Sequence, residues 1–323
     1  MKKERIASYE AEKINEALAE LFGGIYTRAD IEELQESAIL MDEWSKCDCF
    51  SKCVGGMEEW AKSEGGAQAS DEFNCDWYHG TWQYMRLLNM VAVPRWYHFY
   101  HETMANVLKQ KPEADVMISA CADYGMLHAL HHAMIAAGAR PTIVIYDICM
   151  TPLKSSEWYA RKHGLPVRCF CENIITADIE KSSFDLIVTD EFLTVLQKAY
   201  KPLIIEKWKK LLKPGGIVVT TAMIGNPTTP ELREGYAARA HRLFAIYGPQ
   251  VFPQPLNENG NREKLLAQFK RFAMYHTRHM IEDQLEIRQL FKDFKFLSVQ
   301  RICTPGECVN PTDSFQIVAG IEG

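Results

Sequence analysis

No apolar run in the 323 residues approaches the roughly 18–20 that a membrane span needs, which excludes a helical membrane protein. The N-terminus, Met1-Lys-Lys-Glu-Arg, runs straight into an amphipathic pattern with no apolar signal core, so the chain is expected in the cytoplasm. A basic block is missing too. Lys plus Arg is 36 against 42 for Asp plus Glu, a formal charge of −6, which argues against nucleic acid and against anionic membrane surfaces as partners. There is no internal repeat and no low-complexity tract. Hydrophobic residues at 47% and charged residues at 24% are the proportions of a globular chain long enough for one large or two ordinary domains. No GxGxxG is present, which argues against a dinucleotide phosphate loop.

Paired CxxC knuckles are also lacking. Cys47, Cys49, Cys53 and Cys75 form a CxCxxxC group followed by a distant single thiol, which is the wrong spacing for structural zinc. No metal is expected there. Cys121, Cys149, Cys169 and Cys171 lie in or beside apolar runs, where a reduced cysteine acts as a small core residue.

The first hundred residues read as helices. Ile14, Leu18, Leu21 and Phe22 recur with helical spacing up to Gly23-Gly24, and a second helix is expected over Asp30–Trp44, capped by Thr27 or Asp30. From residue 115 the texture changes to short β-rich runs alternating with helices, the pattern of parallel strands covered on both faces. The strands expected are Val116–Ala120, Thr142–Tyr146, Val167–Cys171, Phe184–Thr189 and Ile217–Thr221. Helices are expected over Met126–Ala137, Ser155–His163, Glu191–Ala199 and Pro202–Leu212, the last stopped by Lys213-Pro214-Gly215-Gly216. After a proline-marked helical stretch come a helix at Gln284–Lys292 and strands at Phe296–Arg301 and Ser314–Ala319. These strands are joined by a Pro305-Gly306 turn and are too close in sequence for a parallel crossover.

The fold class is therefore α/β: five parallel strands, an antiparallel pair at the C-terminus, an N-terminal helical cap over residues 1–106 and a helical insertion at 225–282 within the 107–323 body.

In such sheets ligands bind beyond the carboxyl ends of the strands. After the first strand, Ser119, Ala120 and Ala122 are small enough to let backbone approach a ligand, and Gly125 follows. After the second, Asp147 offers a carboxylate that can accept both hydroxyls of a ribose, unless it merely caps the next helix. After the third, Glu172 and Asn173 either pair with an adenine edge or are turn residues. After the fourth stand Thr189, Asp190 and Glu191, where acids would also suit a helix start.

The segments ISACADYG (118–125), IVIYD (143–147), FDLIVTD (184–190), KKLLKPGG (209–216) and the terminal hairpin together resemble the class I S-adenosylmethionine-dependent methyltransferases over residues 115–323. The resemblance implies a Rossmann-like domain that uses S-adenosylmethionine and releases S-adenosylhomocysteine. It places Ser119, Ala120, Ala122, Gly125, Asp147, Ile148, Glu172, Asn173 and Thr189 on the cofactor, and Asp190 and Glu191 toward the methyl group and its acceptor. The family's first loop is usually an acidic residue followed by GxGxG. Here Ala120 and Ala122 replace glycines, and Ile118 or Ser119 replaces the acid.

The segment from Cys75 to Glu102 is dense in aromatics and histidine. Tyr78 and His79 are candidate catalytic groups, and Trp82, Tyr84 and Arg86 candidate acceptor contacts, because ring faces attract a sulfonium and arginine pairs with an acidic acceptor. The plainer alternative is that the rings pack the cap. The expected function is methyl transfer to a small molecule enclosed by the cap and the insertion. Aminocarboxypropyl transfer or cyclisation releasing methylthioadenosine competes with it, as does a non-catalytic binding protein on the same fold. The oligomeric state is open, a homodimer included.

Overall fold

A computed structural model describes residues 25–46, 75–225, 229–252, 259–276, 278–303 and 313–323. In chain order its elements are α1 (Arg28–Trp44), α2 (His79–Leu87), α3 (Ala92–Gln110), β1 (Asp115–Ser119), α4 (Gly125–Ala137), β2 (Thr142–Asp147), α5 (Met150–His163), β3 (Val167–Cys171), β4 (Phe184–Val188), α6 (Phe192–Val195), α7 (Lys201–Leu211), β5 (Leu212–Met223), α8 (Pro230–Val251), α9 (Asn259–Tyr275), α10 (Gln284–Leu290), β6 (Phe296–Ile302) and β7 (Ser314–Gly320). They divide into two compact units.

The helical unit takes α1, α2, α8 and α9, so the N-terminal helices and the helices of the insertion share one body. One passage of the chain between the units falls at residue 95, inside α3. Helix α1 starts as expected: the Thr27 hydroxyl accepts from the Asp30 amide, and the Asp30 carboxylate accepts from the Thr27 amide at 2.7 Å. Its buried stripe is Ile31, Leu34, Ala38 and Met41. The amphipathic run at 14–22, the thiols Cys47, Cys49 and Cys53, and the Pro305-Gly306 turn lie outside the described residues. Cys75 is buried, its thiol 3.7 Å from the Ser45 carbonyl.

The sheet unit carries seven strands in the order β3-β2-β1-β4-β5-β7-β6. The first five run parallel, as expected. The terminal strands β6 and β7 pair antiparallel, as expected; β7 is antiparallel to β5 as well, so β6 runs with the parallel five and β7 alone is reversed. β7 pairs with β5 along Ile217–Met223, which leaves β6 as the sheet edge.

Three local expectations change. The Lys213–Gly216 segment is not a turn ahead of β5 but its first part: Leu212 already pairs with Phe184, and the register slips before Ile217. The slip is accommodated by glycine, since Gly215 has φ +75° and a Cβ on Gly216 would lie 2.9 Å from two carbonyl oxygens. The helix expected over Glu191–Ala199 closes after Val195, where Leu196 turns extended; Thr194 and Val195 are branched at Cβ and hold a helix weakly. Cys171 is exposed rather than core, because β3 is the opposite edge of the sheet.

At the amino ends of β1 and β4, the Asp185 carboxylate accepts from the Asp115 amide and from the Lys111 and Lys213 ammonium groups. Burial alone would raise its pKa, but these donors outweigh it and hold the group at about 2. The network ties the sheet at the end away from the ligand side.

Candidate functional site

The strand order reverses between β1 and β4, and the carboxyl ends of β2, β1 and β4 meet there. The first loop follows β1. Ala120 donates its amide to the Tyr146 carbonyl at 2.8 Å and sits at φ +64°. That left-handed backbone is natural for glycine and costs an L-residue roughly 1–2 kcal/mol. The loop therefore keeps a glycine-like conformation although its glycines are replaced. Ala120→Gly should stabilise the fold by roughly 0.5–1 kcal/mol, the strain relieved less the entropy that glycine adds to the unfolded chain. Urea denaturation reads the difference, and a loss of stability would show that the alanine methyl contributes packing that outweighs its strain.

Ser119, expected on the cofactor, has its hydroxyl committed elsewhere: it accepts from the Trp208 indole at 2.9 Å, both residues fully buried. Asp123 holds the start of α4 by accepting from the Gly125 amide at 2.7 Å. Ala122 is partly exposed in the same loop.

At the end of β2 the Asp147 carboxylate accepts from the Cys121 amide on Oδ2 (2.9 Å) and from the Cys149 amide on Oδ1 (2.7 Å). It thus ties the first loop to the second. Burial pushes its pKa up to about 7, against the pull of the Cys121, Cys149 and Ile148 amides. Three amide donors on two carboxylate oxygens leave an acceptor position for a further donor. Glu172 and Asn173 are exposed at the end of β3. Asn173 closes a turn on itself, its Oδ1 accepting from the Ile175 amide at 3.0 Å.

The end of β4 is the most chemically loaded position. The Thr189 hydroxyl is fully buried and finds no hydrogen-bond partner among the described residues. Asp190 accepts on Oδ1 from the Tyr100 hydroxyl (2.6 Å) and the Thr221 hydroxyl (3.0 Å). Glu191 follows in left-handed backbone (φ +52°), a strained position of the kind that collects at functional sites. Its carboxylate turns into the sheet rather than toward an acceptor: Oε1 accepts from Ser314 on β7 (3.1 Å) and Oε2 from Thr194 (2.7 Å). Burial, then the charge of Glu191, pushes Asp190 up to about 7.

Tyr100 and Thr221 are the residues that sequence reading missed. Tyr100 belongs to an aromatic helix read as part of the cap, and Thr221 looked like an ordinary β-branched strand residue.

The remaining candidates lie in the helical unit. The Tyr78 ring stacks on Phe272 of α9 at 5.5 Å and meets Trp82 and His276, and His79 is buried beside it. Tyr84 packs against Phe252. Arg86 is wholly buried, its guanidinium donating to the Tyr26 hydroxyl at 2.7 Å. Tyr84 and Arg86 thus serve the core of this unit, and Trp77, Tyr78 and Trp82 gather around Phe272 of α9.

Residues 122–220 match the methyltransferase domain family. No curated protein matches the chain. Among solved structures it is similar to a Nostoc punctiforme protein described as an O-methyltransferase, at 14% identity and TM-score 0.46, over 88% of this chain and 71% of that one. It is also similar to the N-methyltransferase NodS of Bradyrhizobium japonicum, solved with S-adenosylhomocysteine, at 15% identity and TM-score 0.41, over 69% and 86% of the two chains. A third is the 1,6-didemethyltoxoflavin N1-methyltransferase of Burkholderia thailandensis, at 12% identity and TM-score 0.42, over 69% and 79%. The matched segment runs from within the first loop into β5 and takes in the ends of β2, β3 and β4. An acidic β2 terminus, a glycine-like first loop and an unpartnered buried hydroxyl at the β4 end fit an adenosyl sulfonium. Residues 122–220 form a methyltransferase domain.

Proposed function

We propose that the chain methylates a small-molecule acceptor, with Asp147 holding the cofactor ribose and Asp190 facing the acceptor. S-adenosylmethionine supplies an activated methyl group on a sulfonium with a good leaving group. The chain's task is then to align the partners, exclude water and receive any proton the acceptor loses. The observation that carries this reading is the pair of carboxyl groups at the β4 end, Asp190 partly exposed and Glu191 buried behind it. Acidic groups at the reacting position, on a chain of net charge −6, repel a phosphate backbone. No described helix is long and apolar enough to cross a membrane.

The test uses S-adenosylmethionine labelled on its methyl group, incubated with the protein and a cell extract that is then separated by size. Label in the small-molecule fraction, with S-adenosylhomocysteine as co-product, supports the reading. Label retained in protein or RNA overturns the acceptor class, and methylthioadenosine as co-product overturns methyl transfer itself.

A further inference from the structure

We propose that Asp190 and Glu191 form a divided carboxylate pair, in which Glu191 is the fixed anion and Asp190 Oδ2 takes the proton from an acceptor that must carry one. The inference rests on the reading of Asp190 as the acceptor-facing group.

The two side chains are adjacent in sequence but are served very differently. Glu191 receives hydroxyl donors on both oxygens, from Ser314 and Thr194, with the Met223 amide adding to them. Burial raises the Glu191 carboxyl above its ordinary value, and this shell of donors pulls it back toward the charged form. Asp190 receives its two donors, Tyr100 and Thr221, on Oδ1 alone. Among the described residues no hydrogen bond reaches Oδ2, and the residue is partly exposed.

Two neighbouring buried carboxyl groups do not both ionise freely, and the one with fewer donors keeps the proton longer. Asp190 is that member, and Oδ2 is the atom left to carry it. Asp123, in the first loop, adds a further negative charge facing Asp190. The charged and titratable groups around it are thus Glu191, Tyr100 and Asp123, with the Thr221 hydroxyl between the two carboxylates. Their balance places Asp190 near neutrality, where a proton acceptor is most effective.

In the transfer, the acceptor's lone pair forms the bond to the methyl carbon, and the carbon–sulfur bonding pair goes to sulfur, which becomes neutral. The acceptor's proton passes to Asp190 Oδ2, leaving its bonding pair on the acceptor atom. Asp190 then returns the proton to water. Tyr100 is a positioning residue: it holds Oδ1 so that Oδ2 is the oxygen presented.

The test is a carbon-13 NMR titration of the ligand-free protein, labelled at aspartate or glutamate carboxyls. Two aspartate signals should titrate near neutrality, one lost in Asp190→Asn and the other in Asp147→Asn. Glu191→Gln should move only the Asp190 signal, downward by about one pH unit, because a like charge has been removed. Tyr100→Phe should move that signal upward by removing a donor to its anion, and this second variant decides the matter should Glu191→Gln not fold.

A glutamate signal titrating near neutrality and lost in Glu191→Gln reverses the assignment and overturns the proposal. So does an Asp190 signal that moves in neither variant. Finding the methyl group on an atom with no proton to lose, such as a thioether sulfur or a tertiary amine, overturns it as well. The titration uses no acceptor. A macromolecular acceptor would therefore defeat the small-molecule reading while leaving the carboxylate pair intact.

Discussion

Trp208→Ala should destabilise the protein by about 3–5 kcal/mol, the range for deleting a large, fully buried aromatic side chain. Trp208 stands on α7 with no exposed surface, among Met117, Ile187, Leu193, Ile204 and Ile205 of the sheet unit's core. Its ring lies 6.3 Å from Phe192, and its indole N–H donates to Ser119 at the end of β1. The loss has two parts, the cavity left by the ring and the hydrogen bond withdrawn from a buried hydroxyl.

Trp208→Phe separates them. It keeps much of the volume and loses the donor, so about 1–2 kcal/mol is expected from it. Both values come from the shift of the urea midpoint at constant slope. A cost below about 1 kcal/mol for the alanine variant would mean that α7 can collapse onto the sheet, and that Ser119 is not held through Trp208.

That contact shows why the sequence could be read well in one direction and poorly in another. Each parallel strand announces itself locally as an apolar run between breakers, and the expected ends lie within a residue or two for β1 to β4. Their carboxyl ends then locate the ligand side by topology, which is how Asp147 became a candidate, while Asp190 became one through the family resemblance. What the indole of Trp208 touches, by contrast, is 89 positions away in sequence, and no periodicity encodes that distance.

The same holds for Tyr100, which meets Thr221 across 121 positions, and for Tyr78 stacked on Phe272. Periodicity makes an aromatic helix visible, but the partner is set by tertiary packing. Within the 75–102 segment Trp82, Tyr84 and Arg86 therefore read as acceptor contacts, although Tyr84 and Arg86 belong to a core. Glu191 shows a related limit. An acid after a strand looks available to a ligand, and only the position of β7 beside β5 reveals that Ser314 engages it.

Asp147→Ala should weaken S-adenosylhomocysteine binding roughly ten- to a hundred-fold, the equivalent of about 1.5–3 kcal/mol for a lost charge-assisted acceptor. In the free protein the Asp147 carboxyl stands near pH 7, above its ordinary value, because burial outweighs the amides that hold it. The sign of the linkage follows from that elevation. A carboxyl raised in the folded protein costs stability, a cost absent below about pH 4, growing between about 4 and 7 and constant above 7. Ribose hydroxyls donate to the anion and not to the protonated oxygen, so their binding draws the group toward ionisation. Affinity for the neutral S-adenosylhomocysteine should therefore rise as the pH goes from 6 to 8, then level off above the carboxyl's own titration. In Asp147→Asn that rise should disappear, since the amide does not titrate. The same variant sets its own NH₂ group, or the lost oxygen's place, against the Cys121 or Cys149 amide, so part of its effect falls on the first loop. Calorimetry across this pH range, with circular dichroism to verify folding, distinguishes the two parts. Unchanged affinity in a folded Asp147→Ala protein would remove the ribose assignment and leave Asp147 as a tie between two loops.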